Sequence, residues 1–435
     1  MPANNFESIR EVLSTEDFCT YIGKVKRISG MMIEATGNKY KIGDICKIST
    51  DTNGKTVNAE VVGFNDGRVL LMPYEDIKGI GLENTVVSTR NKLKIPVGDF
   101  LIGRIVDATG QPIDDLGNFE SNEYSYVDNE YINPLSRPRI SETLSFGIKA
   151  IDGLLTIGKG QRMGIFAGSG VGKSTLLGMV AKNVKADINV IALVGERGRE
   201  VREFAEKDLG EEGLKRSVLV VATSDQPAML RVKCALVATT IAEYFKDKGK
   251  DVLLMMDSLT RFAMAQREIG LATGEPPVSR GYTPSIYAEL PKLLERSGNF
   301  YGGSITGIYT VLVEGDDTNE PISDTVRGIV DGHIVLTRKL ANSNHYPAID
   351  INASISRLMN DIAAKEHNDN AKKIRDILSI YYENYDLISI GAYKKGTNLR
   401  LDEAITKIDK VNKFLTQDVY DKYSFDEIIK LIDEI

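Results

Sequence analysis

Hydrophobic and polar residues alternate over short stretches near the start of the chain, in YIGKVKRI, MMIEA, ICKIS, AEVVGF and RVLLMPY, each closed by turn residues within 21–95. Period-two patterning broken at such intervals predicts a small antiparallel β-barrel, because one face of each strand must be buried while Gly, Asn and Asp return the chain. From 96 to 145 the sequence is rich in Gly, Pro, Asp and Asn (DATGQPIDDLG, NPLSRPR) and reads as a connecting region. Beyond 146 the pattern changes in kind. Continuous apolar runs, MGIFA, VIALVG, VLVVAT, VLLMMD, ITGIYTVLV and HIVLTR, alternate with helical stretches, as strands buried on both faces of a largely parallel sheet require.

The segment 361–435 has no comparable runs, and in RLDEAITKIDKVNKFL the residues Leu401, Ile405, Ile408 and Leu415 share one helical face. A helical domain is expected there. A second short helical segment is expected over 1–20, where Phe6, Ile9 and Leu13 fall on one side. The expected order is therefore a helical segment (1–20), a barrel (21–95), a linker with an α/β domain (96–360) and a helical domain (361–435).

At 435 residues the chain exceeds what one hydrophobic core usually supports, which agrees with several domains. A net charge of −7 supplies no global positive field for phosphate backbones or anionic lipid, so nucleic acid is not an expected partner. Cys19, Cys46 and Cys234 are widely spaced without a CxxC pair and read as buried thiols. His333, His345 and His367 are too scattered for a metal cluster. The N-terminus lacks the basic start and apolar core of a secretory signal, and the longest apolar runs are of strand length, so a cytoplasmic location is expected.

The chemistry concentrates in MGIFAGSGVGKSTLLGMVAK, where a strand, a Gly-rich turn and a helix follow one another. Backbone N–H groups of such a turn, together with the helix N-terminus, form a concave anion site. Gly168, Ser169, Gly170, Val171 and Gly172 make the loop, Lys173 reaches terminal phosphates, Ser174 can ligate magnesium and Thr175 follows. Ala167 stands where the usual pattern has glycine, a methyl at the strand end that the loop should tolerate. VLLMMDSLTRFA ends an apolar run in Asp257, the carboxylate a magnesium nucleotide needs on a neighbouring strand. VIALVGERGREV ends another in Glu196, placed to orient or deprotonate water. From the residues alone, Glu196, Arg197, Arg199, Glu200 and Arg202 read as well as a solvated charge cluster.

These blocks, with GYTPSIYAELPKLLERSG, YTVLVEGDDTNEPISDTVRGIVDGHIVLTRKLA and HYPAIDINASISRLMN, resemble the type III protein export ATPases, relatives of the catalytic subunit of rotary ATP synthases. The resemblance is nearly continuous over 146–360 and looser elsewhere. It implies a RecA-like nucleotide domain using ATP and Mg2+, with Lys173 and Ser174 on phosphate and metal, Asp257 as the Walker B carboxylate and Glu196 activating water. Arg197 and Arg261 match basic residues near the terminal phosphate, and Tyr346 matches an aromatic that stacks on adenine. Arg357 matches the arginine that relatives project into a neighbouring subunit's site. Read alone, a tyrosine such as Tyr346 is more often simple packing, and Arg357 reads as well as an ordinary surface arginine.

The resemblance also implies a homohexamer at the cytoplasmic face of an export apparatus. Its partners would be a stator-like regulator at the N-terminus, a central stalk protein, export gate membrane proteins and chaperone–substrate complexes. Overall similarity favours the flagellar pathway over a virulence injectisome. Two rival readings make different demands. A rotary synthase subunit requires a second homologous ring subunit, and a ring-shaped RNA translocase requires a basic, aromatic-rich groove in the barrel, where Tyr40 and Phe64 show no such interleaving.

Overall fold

Six strands, β1 (Ile22–Ser29), β2 (Met32–Ala35), β3 (Ile45–Ser49), β4 (Thr56–Asn65), β5 (Arg68–Pro73) and β6 (Thr85–Ser88), close into an antiparallel barrel in the order β1-β2-β5-β4-β3-β6. This computed structural model describes residues 20–37, 39–51, 54–128, 133–313 and 320–435. The alternation seen in the sequence is the alternation of burial. Val57, Ala59 and Val61 of β4 and Cys46 and Ile48 of β3 point inward with Val25, Ile33 and Leu71, while Lys47 between them faces out. Burial pushes the Cys46 thiol up to about 12, so it stays a neutral core group. The expected N-terminal helical face of Phe6, Ile9 and Leu13, like Cys19, lies outside the described residues.

The chain divides into two compact units, one ending at Leu93 and the other running Lys94–Ile435. The second is built on a nine-stranded sheet. Its main path uses β7 (Ile105–Asp107), β8 (Arg162–Ala167), β9 (Ile188–Glu196), β10 (Ser217–Thr223), β11 (Asp251–Asp257), β12 (Gly303–Leu312), β13 (Gly332–Leu336) and β14 (Ile349–Ser356). Their order is β14-β13-β8-β12-β11-β9-β10-β7, with Gly298–Phe300 added antiparallel to β12. Every pair along the path is parallel except β13 with β14. Helices such as Lys173–Asn183 and Ala228–Asp247 cover the sheet, which explains the unbroken apolar runs. The Gly- and Pro-rich stretch read as a connection contributes the edge strand β7, whose three residues are too few to show a period.

The change to helices near 361 is not a gap in the packing. Ile374, Ile408, Phe414 and Ile432 of the C-terminal helices share one core with Leu154, Leu177 and Ile191 of the sheet domain. Gly153 in the helix Lys149–Leu154 is required there, because a Cβ would lie 2.8 Å from Ile432 and 2.9 Å from Phe414. In the helix Leu399–Leu415 the buried positions are Leu401, Ala404, Ile408, Val411, Phe414 and Leu415, and the expected Ile405 sits at the half-buried rim.

Arg296 and Glu243 form a buried ion pair. Arg296 donates to Glu243 through Nε (2.9 Å) and Nη2 (2.6 Å), to Thr240 Oγ1 (2.9 Å), and to the Val127 carbonyl (3.3 Å). It thereby ties the helix Ala228–Asp247 to the approach of β12. Removing the carboxylate strands a buried guanidinium, so Glu243→Ala should cost about 3 kcal/mol of stability. A urea midpoint unchanged from the parent protein would show the pair to be solvated and dispensable.

Candidate active site

The turn between β8 and the helix Lys173–Asn183, the Gly-rich loop that the sequence marks as a candidate for phosphate, lies at the carboxyl end of the sheet. Ala167 ends β8 fully buried, its carbonyl accepting from Val313 N at 3.0 Å, so the departure from glycine is absorbed by the strand. Val171 is buried and anchors the loop, Gly168 is buried beneath it, and Ser169, Gly170 and Ser174 are open to solvent with Thr175 half-buried. Gly172 caps the helix at φ 87, a left-handed conformation that glycine adopts without strain. A Cβ at Gly172 would also lie 3.3 Å from the ring of Tyr346, which places that ring against the loop. Tyr346 is 41% exposed, and its carbonyl accepts from Gln417 N of the C-terminal segment at 2.9 Å.

Three charged groups meet beside the loop. Lys173 Nζ pairs directly with Asp257 Oδ1 and lies 3.9 Å from Glu196 Oε1, and the three side chains are 13%, 7% and 12% exposed. Asp257 closes β11 and Glu196 closes β9, adjacent parallel strands whose carboxyl ends converge. Glu196 is aimed by a bulge: the β9–β10 register slips between Val194 and Glu196, and Gly195 takes φ 67. A Cβ at Gly195 would sit 3.2 Å from Arg261 Cβ, so the Arg261 stem packs against that bulge.

The environment is polar but incomplete. Glu196 Oε1 and Arg261 Nε are both buried without a hydrogen-bond partner. Two orphaned polar atoms on residues that meet at one bulge fit a site that takes a polar ligand. Burial pushes the Glu196 carboxyl up to about 7, the Asp257 carboxylate adding to the rise and Lys173 opposing it.

Thr310 belongs to the same group, although sequence reading passed over it. It is fully buried on β12, and its hydroxyl donates to Asp257 Oδ1 at 2.8 Å. The available signal was weak, since Thr310 is one of two threonines inside the apolar run ITGIYTVLV. The charge cluster resolves into two parts. Arg197 is 76% exposed on its partner Glu200 (3.1 Å), while Arg199 pairs with Glu203 and Arg202 with Glu206 on the same solvated surface. Only Glu196 turns inward.

Arg357 lies elsewhere. It follows β14 at the end where Ser356 pairs Gly332, whereas the phosphate loop leaves the sheet where Ala167 pairs Leu336. The length of β13 separates the two, on the order of 13 Å. Arg357 is exposed, with its backbone N–H on the Asp331 carbonyl (3.0 Å) and Nη2 on the Arg327 carbonyl (3.2 Å).

Comparison with known proteins matches each part of the chain. Residues 147–356 match the nucleotide-binding domain of the ATP synthase alpha/beta family, residues 25–90 match its beta-barrel domain, and residues 363–434 match the T3SS EscN ATPase C-terminal domain. The flagellum-specific ATP synthase of Bacillus subtilis is 56% identical over 94% of both chains. The type 3 secretion system ATPase of Xanthomonas euvesicatoria is 46% identical, covering 95% of this chain and 93% of its own. The assembled ATPase EscN of the enteropathogenic E. coli type III secretion system superposes with a TM-score of 0.90 at 46% identity, covering 95% of this chain and 99% of that one. A second EscN structure, in complex with its central stalk EscO, gives 0.88 at 45% identity over 95% and 99%.

With its carboxyl raised to about 7, Glu196 in the ligand-free protein should be half-protonated near neutral pH. Infrared difference spectra against Glu196→Gln should show a protonated carboxyl growing in as pH falls through that value. Asp257→Asn removes one of the causes and should move the titration lower. A band appearing only below about pH 5, the ordinary glutamate range, would mean that the carboxyl is solvated rather than buried.

Proposed function

The chain belongs to the ATP synthase alpha/beta family, beside flagellum-specific ATP synthases and type 3 secretion system ATPases, and we propose that it is a ring-forming, magnesium-dependent ATPase serving flagellar protein export. The observation that carries the chemistry is Lys173 held between Asp257 and Glu196 at the mouth of the phosphate loop. Incoming phosphates compete with Asp257 for the ammonium group, and loop N–H groups with the helix N-terminus hold their charge. Glu196, with an unsatisfied oxygen and a proton affinity matched to neutral pH, orients and deprotonates the attacking water.

The residues fit magnesium. Among the described residues, no group of three or more His, Cys, Asp or Glu side chains could hold a metal ion. The Ser174 hydroxyl and the Asp257 carboxylate, steadied by Thr310, would hold the ion in a shell completed by phosphate and water, the arrangement Mg2+ prefers. When bound, it supplies neutralisation of phosphate charge at the terminal phosphoryl group. Tyr346, half-exposed against Gly172, is positioned to cover a nucleotide base.

Arg357 cannot serve its own chain's loop from the opposite end of β13, and its exposure suits insertion into a neighbouring subunit. A homohexameric ring completes each site with the next subunit's arginine. The EscN relative is known in an assembled form and with a central stalk, which supports a ring and a stalk partner here. A stator-like regulator, export gate proteins and chaperone–substrate complexes complete the expected partners. No helix among the described residues is long and apolar enough to cross a membrane, in keeping with work at the cytoplasmic face of an export apparatus. Higher identity to the flagellum-specific relative than to the secretion-system one favours the flagellar pathway.

Glu196→Gln should bind ATP normally and lose about a hundredfold or more in kcat, with turnover and fluorescent-nucleotide binding measured side by side. Undiminished hydrolysis would remove Glu196 from its role. Arg357→Ala should spare nucleotide binding by dilute subunits and lose about a thousandfold of the activity gained on assembly, read by assaying turnover against protein concentration. Full activation on assembly would exclude the shared arginine.

A further inference from the structure

The far end of the sheet carries a buried polar platform that the hydrolytic chemistry does not use. We infer that Gln161 is a positioning residue for Arg357, setting the angle at which that arginine leaves one subunit for its neighbour. The inference rests on the reading of Arg357 as a shared catalytic arginine.

Gln161 immediately precedes β8 and is fully buried. Its Oε1 accepts from Gly158 N at 2.8 Å, and its Nε2 donates to Ser356 Oγ at 3.1 Å and to the Asp331 carbonyl at 3.3 Å. Ser356 Oγ in turn donates to the Thr156 carbonyl at 2.7 Å. The Asp331 carbonyl is the acceptor of the Arg357 backbone N–H, at 3.0 Å. One amide therefore grips both the residue before Arg357 and the carbonyl on which Arg357 hangs.

The surroundings leave little freedom. The Asp331 carboxylate is locked by Arg162, which donates through its backbone N–H (3.0 Å), Nε (3.1 Å) and Nη2 (3.1 Å). Gly332 allows β13 and β14 to close together, because a Cβ there would lie 2.5 Å from the Ile355 carbonyl and 2.6 Å from Met163 Sδ. An apolar side chain of similar size would fill the volume at Gln161 but leave the buried Gly158 N–H without its acceptor. What the amide adds is register: leucine fills the volume but does not define where Ser356 and Asp331 stop.

Subunit mixing tests the inference. Gln161→Leu rings should lose about a hundredfold in kcat, the usual cost of a misplaced catalytic group, while each subunit still binds a fluorescent ATP analogue as the parent does. Excess Lys173→Ala subunits, with a disabled loop but an intact arginine, should then raise turnover per Gln161→Leu subunit by about tenfold or more, because the damaged group is supplied by the neighbour. A residue that merely stabilised its own loop would gain nothing from mixing. Ser356→Ala removes a single hydroxyl and should behave in the same way, carrying the test if Gln161→Leu does not fold. Arg357→Ala mixed with Lys173→Ala is the reference. If that pair is rescued but the Gln161 and Ser356 variants are not, or if they keep full activity alone, the platform is overturned. If Arg357→Ala itself neither loses nor regains turnover, the shared-arginine reading falls and the platform with it.

Discussion

One ammonium group stands against two buried carboxylates. Lys173 pairs with Asp257 and comes within 3.9 Å of Glu196, so in the ligand-free protein a single positive charge must serve both. Burial is the main cause of the raised proton affinity of Glu196, and the neighbouring Asp257 carboxylate adds to it against the opposing charge of Lys173. A ligand bringing its own phosphates and a divalent cation would change that balance. The unsatisfied Glu196 Oε1 and Arg261 Nε are two further buried polar atoms that a polar ligand would satisfy.

The sheet produces this meeting by topology and two local departures from regularity. The order β8-β12-β11-β9 gathers the loop strand and the two carboxylate strands within four consecutive strands, with parallel directions delivering all their carboxyl ends to one edge. β12 intervenes between β8 and β11, and from it Thr310 holds the Asp257 carboxylate in place. At the end of β9, the bulge at Gly195 turns Glu196 away from the course set by the strand. Without the bulge, Glu196 would follow the alternation of β9 rather than face Lys173.

Much of this was legible in the sequence because burial imposes a period. The barrel strands alternate and the sheet strands do not, and the structure shows why: one face against a core in the first case, two in the second. The loop, Asp257 and Glu196 were legible because each ends an apolar run. Less legible were features without local signature. β7 is three residues long, Ile405 differs from Ile408 only by a small rotation about the helix, and Thr310 matters through a strand distant in sequence. The sequence left the charged stretch after β9 open between chemistry and solvated surface. In the structure the members of that stretch separate by burial, since Arg197 faces solvent and Glu196 turns toward Lys173.

β8 runs from one end of this economy to the other. It starts at the platform of Gln161, Arg162 and Asp331, which bears on Arg357, and ends in the loop that presents Lys173. Packed interiors deform little, so a short central strand transmits displacement along its length better than it absorbs it. In a ring of identical chains, that strand would join a subunit's own nucleotide site to the arginine it offers its neighbour. The Arg375 guanidinium, on the helix Lys365–Glu383, donates to the carbonyls of Ile351 (2.5 Å), Ser354 (3.2 Å) and Leu154 (2.9 Å), bringing the C-terminal helices onto the same strand β14. The same helices share a core with Leu177 of the helix that starts at Lys173, and Gln417 N–H donates to the Tyr346 carbonyl beside Gly172, so the C-terminal helices bear on the Arg357 edge and on the loop alike.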